Sequence, residues 1–518
     1  MKKLLIIFSI SGLLLGGCKK YLDVNQNVNQ PTVVTPAVVL SSALAGTATN
    51  LASDYLNLNR WMGYWSRSGN YVPDVQTETY AIPNNYTDPE WTRIYNTLNS
   101  YAYIESIAQQ QQLPFYEGVA KVMKGFHFST LVDVYGNVPY SDAFKVATSV
   151  QPKYDDAQTI YNTLVAQIDS AIILFDTAKV FYSTAAPTIL STDDQYDILF
   201  GKGGSSDKGD ASNRMDKWVQ FANTLELKLL IHQSQVTAQA GFITTQLASI
   251  IANGRGFIGV GQSALVNPGY SGSTNKINPF YASFYTVTAA TTNVSYFRAN
   301  QYAVNFYGSY PEDNRIAFFY AQVGSGFAGN FDGDPASVSN ASTSAIGAGL
   351  LKGFTQNELI LSDFESLFLQ AEAAQRGWIP GSAQNFYQEA ITQNFVYLYQ
   401  DATNSVDTLA IGSNPVTDAQ ALYTDGLANA DWTASPDKLT AIMTQKWASL
   451  NGIDWVEAWT DFRRLGIPNL PISAAPTHVE PQIPVRYLYP QSEYNTNAAN
   501  TPSLPGNAQF TAKIFWNQ

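Results

Sequence analysis

The chain has 518 residues, a formal net charge of −12 and a sequence pI of about 4.7. This acidic balance argues against nucleic acid and anionic lipid headgroups as partners, because both carry charge of the same sign. Charged residues make up 14% of the chain and aromatic residues 13%, which fits either a surface for a neutral, hydroxyl-rich ligand or simply a large core.

The N-terminus has the pattern of a bacterial export signal. A basic start precedes an apolar stretch over residues 4–15, which is shorter than the roughly 20 residues that a bilayer span needs. The small-residue junction behind it ends at Cys18, the single cysteine, and matches the lipobox of bacterial lipoproteins; an ordinary secretory signal is the alternative. We therefore expect a signal peptide over 1–17, lipidation at Cys18, a tether over 18–36 and a single domain over 37–518.

Helical patterning dominates the chain after the tether. An Asp N-cap with a proline in the first turn predicts a helix from Asp88. The best-defined helix pair lies at 362–395, where Ser362 opens a capping box and Gly377 ends the first helix. Two antiparallel helices of this size resemble one tetratricopeptide-type unit, so we predict a mostly α-helical fold built on a degenerate helical-repeat scaffold.

Long irregular stretches separate the helical blocks, at 61–87, 183–213, 261–300 and 324–349. Loops of this length in a compact domain are usually functional or disordered. Tyr and Trp rings alternate in two of them with Gly, Pro and Asn, and we expect ligand contacts there, although a core position is the alternative for each ring. The candidate ligand-binding residues are Trp65, Tyr71, Tyr80, Tyr86, Tyr270, Asn293 and Tyr296.

The sequence offers no marked catalytic or metal-binding motif, and we expect no catalytic residue, metal or cofactor. A GxGxxG pattern at 254–259 follows a predicted helix end, whereas a dinucleotide site needs a preceding strand. His127 and His232 lie in helical runs and are interpreted as structural. The acidic loop at 332–334 is either solvated or, as the alternative, a calcium site without EF-hand spacing. A pair of carboxylates for glycoside hydrolysis stays open, because their separation exists only in three dimensions.

Several segments together resemble the SusD/RagB family of outer-membrane lipoproteins, in the form of its second SusD-like subgroup. Residues 131–144 (LVDVYGNVPYSDAF) are similar to a family segment that follows an early helix, and the start at Cys18 (CKKYLDVN) resembles family N-termini. The helix from Trp218, the Ala371-Glu372-Ala373 helix, residues 483–490 (IPVRYLYP) and the KIFW ending also fit. A family "nDPR" element is present only as Glu312-Asp313-Asn314-Arg315.

The resemblance implies a non-enzymatic, lipid-anchored nutrient-binding protein on the outer face of the outer membrane. Its partners would be a SusC-like TonB-dependent transporter and an oligosaccharide, with membrane contact through the lipid anchor only and no nucleic acid. A peptide-binding RagB-type member is the alternative within the family. The family fold is a tetratricopeptide-like helical scaffold with long ligand-binding loops, and the motif residues themselves are expected to be scaffold.

Overall fold

The computed structural model describes residues 34–145, 148–184, 194–201, 211–285, 295–406 and 414–517. Helices make up most of the secondary structure of these residues. They are α1 (Pro36–Ser53), α2 (Leu58–Trp61), α3 (Val75–Glu78), α4 (Asp88–Gln111), α5 (Pro114–Tyr135), α6 (Ala157–Thr184), α7 (Ala211–His232), α8 (Ala240–Asn253), α9 (Pro279–Ala282), α10 (Gln301–Gly308), α11 (Ile316–Phe319), α12 (Asp363–Gln375), α13 (Ala383–Tyr399), α14 (Pro415–Tyr423), α15 (Lys438–Ser449), α16 (Trp455–Leu465), α17 (Gln491–Thr496) and α18 (Ala508–Thr511). No helix among the described ranges is long and apolar enough to cross a membrane.

The long helices pack as neighbouring pairs that stack into one scaffold. α4 packs on α5, α6 on α7, and α12 on α13, which also contacts α14. Contacts of α1 with α4, of α5 with α6 and of α7 with α12 join these pairs to one another. The predicted mostly α-helical, tetratricopeptide-like scaffold is therefore confirmed.

The predicted helix-capping residues are confirmed for α12, whereas the N-cap of α4 lies one residue earlier than predicted. Ser362 Oγ accepts a hydrogen bond from Glu365 N at 3.0 Å, and Gly377 follows the end of α12 with a φ of +73°. Asp88, by contrast, is the first residue of α4 and not its cap, because the N-cap position falls on Thr87. The Asp88 carboxylate instead accepts a hydrogen bond from Ser492 Oγ at 3.4 Å, which ties this turn to a distant segment.

Within the described ranges three two-stranded antiparallel sheets connect separate parts of the chain. β1 (Trp65–Arg67) pairs with β5 (Phe297–Ala299), with Trp65 opposite Ala299 and Arg67 opposite Phe297. The other sheets are β2 (Val138–Pro139) with β3 (Tyr154–Asp155) and β4 (Ala264–Val266) with β6 (Glu358–Leu361). These short ladders fix the loops onto the helical scaffold.

The family-like segments meet in the core, which supports their expected role as scaffold. Trp516 Nε1 donates to Asp133 Oδ1 at 3.0 Å, and Tyr487 N donates to Val134 O at 3.0 Å. Arg463 Nη1 donates to the Asp133 carbonyl at 2.6 Å. The segment at 131–144 thus holds the C-terminal end of the chain against the last long helix.

Both helical histidines are structural. His127 is buried, and burial lowers its pKa to about 3, so that its ring is neutral beside Thr47 Oγ1 at 2.8 Å. His232 Nε2 lies 3.1 Å from Glu457 Oε2, and its Nδ1 lies 3.4 Å from Asp133 Oδ2. Burial disfavours the charged ring, but these two carboxylates outweigh it and raise the pKa of His232 to about 9.

Candidate functional site

The pairing of β1 with β5 brings together two aromatic residues that are far apart in sequence. Ser68 N, just beyond β1, donates to the Tyr296 carbonyl at 2.9 Å. The rings of Tyr71 and Tyr296 then meet edge to face, with centroids 5.2 Å apart and an interplanar angle of 72°. Tyr71 keeps 39% of its surface exposed, so the pair offers an aromatic platform to solvent.

A buried arginine lies directly beneath this platform. Arg60 Nη1 lies 3.4 Å from Tyr296 Oη and 2.9 Å from Asp74 Oδ2. Its Nη2 pairs with Glu78 at 2.9 Å and its Nε with Asp332 at 2.7 Å, so three carboxylates surround one cation. Burial works against the Arg60 cation, but these carboxylates raise its pKa overall, and the guanidinium stays charged.

The platform presents the neutral phenol of Tyr296 and the partly solvent-exposed carboxylate of Asp74. Burial raises the pKa of Tyr296 to about 12, although nearby Arg60 opposes this shift, so the hydroxyl is protonated at neutral pH. The Asp74 side chain is 34% exposed and caps α3, since its Oδ1 accepts from Thr77 N at 3.3 Å. A hydroxyl-rich ligand can therefore stack on a ring and donate a hydrogen bond to Asp74 in the same place.

The loop that carries Tyr71 is held at several points. Arg67 Nη1 donates to the Tyr71 carbonyl at 2.5 Å, while Arg67 Nε pairs with Glu78 at 2.6 Å. Gly69 N donates to Val338 O at 2.9 Å, and the side-chain oxygen of Asn70 accepts from the backbone of the same partner loop at 2.8 Å. A platform fixed before binding loses less conformational entropy when a ligand arrives.

Large apolar side chains are exposed around the platform. They lie on segments that hydrogen-bond to one another, since Val479 N donates to Thr79 O at 3.0 Å and Ala474 N to Asp332 O at 2.6 Å. We call this set the apolar rim. Its members are Tyr71, Val72, Val75, Phe331, Val338, Ile472 and Val479, with Val72 the most exposed at 84%. These exposed apolar side chains make the rim a candidate contact surface.

The candidate residues from the sequence separate into different environments. Tyr71 and Tyr296 come together at the platform. Trp65 and Tyr80 are buried in the core, with 0% and 1% exposure, so neither ring offers a face to a ligand. Trp65 packs against Phe284 and Phe297, because the irregular loops fold inward onto the scaffold.

Of the other three candidates, Tyr86 lies next to the platform, because Thr77 contacts both its hydroxyl and Asp74. Tyr270 lies on the loop after β4, and Asn293 lies outside the described residues. Tyr86 is half-buried, stacks on Tyr487 with centroids 6.4 Å apart, and lies with its hydroxyl 3.2 Å from Thr77 Oγ1. Tyr270 follows β4, which pairs with β6, and its backbone N–H donates to Asn267 Oδ1 at 2.8 Å. Cys18 also lies outside the residues that the structure describes.

The charged part of the platform was missed by the sequence analysis. Arg60, Asp74 and Asp332 lie in three separate segments, and only the fold joins them. The interpretation of residues 332–334 as a solvated loop was wrong for Asp332, which is 6% exposed and paired with Arg60. One signal was available: two arginines in an aromatic segment of a chain with few charges.

No group of three or more His, Cys, Asp or Glu side chains within the described ranges is arranged to hold a metal ion. The acidic residues of the platform are instead neutralised by Arg60 and Arg67. The GxGxxG pattern at 254–259 directly follows α8 and is preceded by no strand, which removes the context that a dinucleotide site requires.

The architecture is a tetratricopeptide-like helical scaffold that carries long loops, and comparison with known proteins identifies the family. A family model described as "Starch-binding associating with outer membrane" matches residues 28–490. The chain belongs to this SusD-like family, which is nutrient-binding and associated with the outer membrane. A search of curated proteins finds no match.

Solved structures share the fold at low sequence identity. A SusD/RagB family protein from Bacteroides thetaiotaomicron is 19% identical, with a TM-score of 0.69 over 94% of this chain and 99% of that one. A SusD homologue from Bacteroides uniformis is 20% identical, with a TM-score of 0.69 over 93% and 99%. A chitin-binding SusD homologue from Flavobacterium johnsoniae is 20% identical, with a TM-score of 0.70 over 92% and 98%. The resemblance seen in the sequence is confirmed.

Proposed function

We propose that this chain is a non-enzymatic, lipid-anchored receptor on the cell surface that binds neutral oligosaccharides and delivers them to a SusC-like TonB-dependent transporter. The observation that carries the proposal is the Tyr71–Tyr296 platform held over Arg60 and Asp74. The C–H faces of a sugar ring stack on aromatic rings, and its hydroxyl groups donate to carboxylate oxygens. The starch-binding description of the family and the chitin-binding relative support this ligand class.

A peptide is the second candidate ligand, and the apolar rim favours it. Aliphatic side chains such as Val72 and Val338 suit apolar peptide side chains better than sugar hydroxyls. The two ligand classes are separated by isothermal titration calorimetry of the mature chain against a panel of neutral glucan and chitin oligosaccharides and against a pool of peptides. Heat from peptides and none from any glycan would refute the glycan proposal.

The platform is tested by removing one ring. We expect Tyr71→Ala to weaken glycan binding about tenfold, which corresponds to ~1.4 kcal/mol, because the stacking surface is lost while the loop keeps its backbone anchors. Tyr423→Ala, at the end of α14 and away from the platform, is the matched control and should bind as the wild type does. Unchanged affinity in Tyr71→Ala would place the ligand elsewhere.

The anchor and the delivery step are tested in cells. Cys18→Ala should fold and bind glycan in solution but fail to support uptake, because the receptor would no longer be held at the membrane next to its transporter. Co-purification of the lipidated protein with a TonB-dependent barrel from outer membranes tests the partner. Full uptake by Cys18→Ala would show that the lipid is dispensable.

A further inference from the structure

Besides the aromatic platform, the structure contains a cavity within the helical scaffold, and none of the platform residues lines it. It encloses about 70 Å³, several times the ~10–15 Å³ that one water molecule needs. Its walls come from α1, α5, β6 and the start of α16. Five aromatic rings contribute to these walls, namely Tyr55, Phe126, Phe280, Tyr397 and Trp455. This space suits a small group and not a whole oligosaccharide.

The polar lining of the cavity is strongly one-sided. Among the described residues four carboxylates line it and no lysine or arginine does. The four are Asp54, Glu358, Glu365 and Asp454. His127 also lines the cavity, but its ring is neutral because burial lowers its pKa to about 3. A cavity with acidic groups and aromatic walls and without a positive side chain of its own has the chemistry that selects a cation.

Cations outside the cavity already neutralise three of these carboxylates. Arg93 Nη2 pairs with Asp54 at 2.6 Å, and Lys228 Nζ lies 2.9 Å from Glu365 and 3.6 Å from Asp454. Even so, Asp54 keeps one oxygen, Oδ2, that is buried without a hydrogen-bond partner. Asp54 itself is only 5% exposed, so this oxygen has no ready access to bulk water.

Glu358 is the carboxylate that has no counter-charge. It is 7% exposed and accepts hydrogen bonds from Asn278 Nδ2 at 2.8 Å and from the Phe280 backbone N–H, both neutral donors. No cationic side chain pairs with it among the described residues. Burial raises the pKa of Glu358 to about 8, as expected for a carboxylate that lacks a cation. An incoming cation would supply the missing partner and hold this group ionised.

We propose that this cavity binds the primary ammonium group of a small ligand or ligand side chain, with Glu358 as its counter-ion and the aromatic walls around its stem. An ammonium group is compact and has three donors, which matches a narrow cavity with several carboxylate acceptors. The site is independent of the platform, because none of its lining residues belongs to the apolar rim or contacts Tyr71.

The primary test compares n-butylammonium with n-butanol, which has the same shape without charge, by isothermal titration calorimetry of the mature chain. We expect the amine to bind and the alcohol to bind at least tenfold more weakly. Equal binding of the two, or no binding of the amine to folded protein, would overturn the proposal.

Variants locate the binding. Glu358→Gln should weaken n-butylammonium binding at least tenfold, whereas Glu389→Gln, an exposed carboxylate on α13, should not change it. Leu51→Trp, at a half-buried lining position, should block the cavity and gives an answer even if Glu358→Gln folds poorly. Tyr71→Ala should leave amine binding unchanged, so the amine site and the platform are tested independently of each other. Unchanged binding in both cavity variants would refute the assignment.

Two natural sources of such a group are then compared. Glucosamine carries the ammonium on a sugar, and Nα-acetyl-lysine amide carries it on a peptide side chain. Competition with bound n-butylammonium by one of them identifies the source. Failure of both to compete would contradict a role in ligand capture.

Discussion

The Asp313–Arg315 pair offers a sharp test of how the core depends on buried charge. Both side chains have 0% exposure, and two hydrogen bonds join them, from Arg315 Nε at 2.8 Å and from Nη2 at 2.7 Å. The remaining acceptors of the guanidinium are neutral, and they come from Asn394, Ser449 and Gln445. Burial works against the Arg315 cation, but Asp313 outweighs it and raises the pKa of Arg315.

Asp313→Asn keeps the shape of the side chain but removes the carboxylate that pairs with Arg315 within the described residues. A fully buried cation left without its partner costs about 3–5 kcal/mol, so we expect the free energy of unfolding to fall by that amount. Urea titration followed by tryptophan fluorescence measures it. The double variant Asp313→Asn/Arg315→Met removes the buried charge as well and should recover part of the loss, since the buried amide oxygens of Asn394 and Gln445 then lose their Arg315 donor.

An exposed ion pair provides the control for this experiment. Asp216 pairs with Lys179 at 2.7 Å and lies 3.5 Å from Arg255 Nε, and about a quarter to a third of each side chain is exposed. Asp216→Asn should therefore cost less than about 1 kcal/mol. If Asp313→Asn costs no more than Asp216→Asn, the view that this pair compensates a buried charge is refuted.

Two further variants test other parts of the molecule. The folded-state pKa of His232 is raised to about 9 from an ordinary value of 6.5, so its stabilising contribution is complete below about pH 6.5 and is lost as the pH rises through 9. Urea titrations at pH 6.5 and 9.5 should therefore show a smaller decrease in the free energy of unfolding for His232→Gln than for the wild type. Equal decreases would contradict this. At Gly69 an added Cβ would lie 1.9 Å from the Ser337 carbonyl oxygen, so Gly69→Ala must separate the two loops and should weaken glycan binding at least fivefold in calorimetry. Gly326→Ala is the control and should leave binding unchanged, because no described atom lies within 4 Å of its added Cβ. Equal affinities of the two variants would argue against a preformed platform.

The helical scaffold was predictable because its signals are local. Ser362 and Gly377 mark the ends of α12 by capping chemistry that acts over a few residues. The family-like segments were also recognisable as scaffold, since they lie on helices and turns. Here sequence pattern and structure agree because both follow from short-range geometry and apolar periodicity.

The proposed binding face was only partly predictable, because it depends on long-range pairing. Trp65 and Tyr71 lie in the same aromatic stretch, yet one is in the core and the other on the surface. Irregular loops have no fixed period, so spacing does not tell which ring turns inward. The partners of Tyr71 are set by the register of β1 against β5, more than 220 residues away in sequence, and by the cluster around Arg60.

Most of the arginines lie inside the fold, where they connect irregular loops to the core. The chain has eleven arginines, and eight of them are buried. Arg463 donates to the Asp133 and Val485 carbonyls, and Arg298 donates to backbone carbonyls of the 340–343 loop. Each guanidinium therefore ties a further segment to its own helix or strand. Long irregular loops leave carbonyl groups unpaired, and a planar guanidinium with five donors satisfies several at once. Among the described residues the core also buries fourteen Asp and Glu side chains against nine Lys and Arg side chains, so the acidic balance of the chain does not come from burying arginine. Outside this core acidic residues still outnumber basic ones, which disfavours a polyanionic ligand.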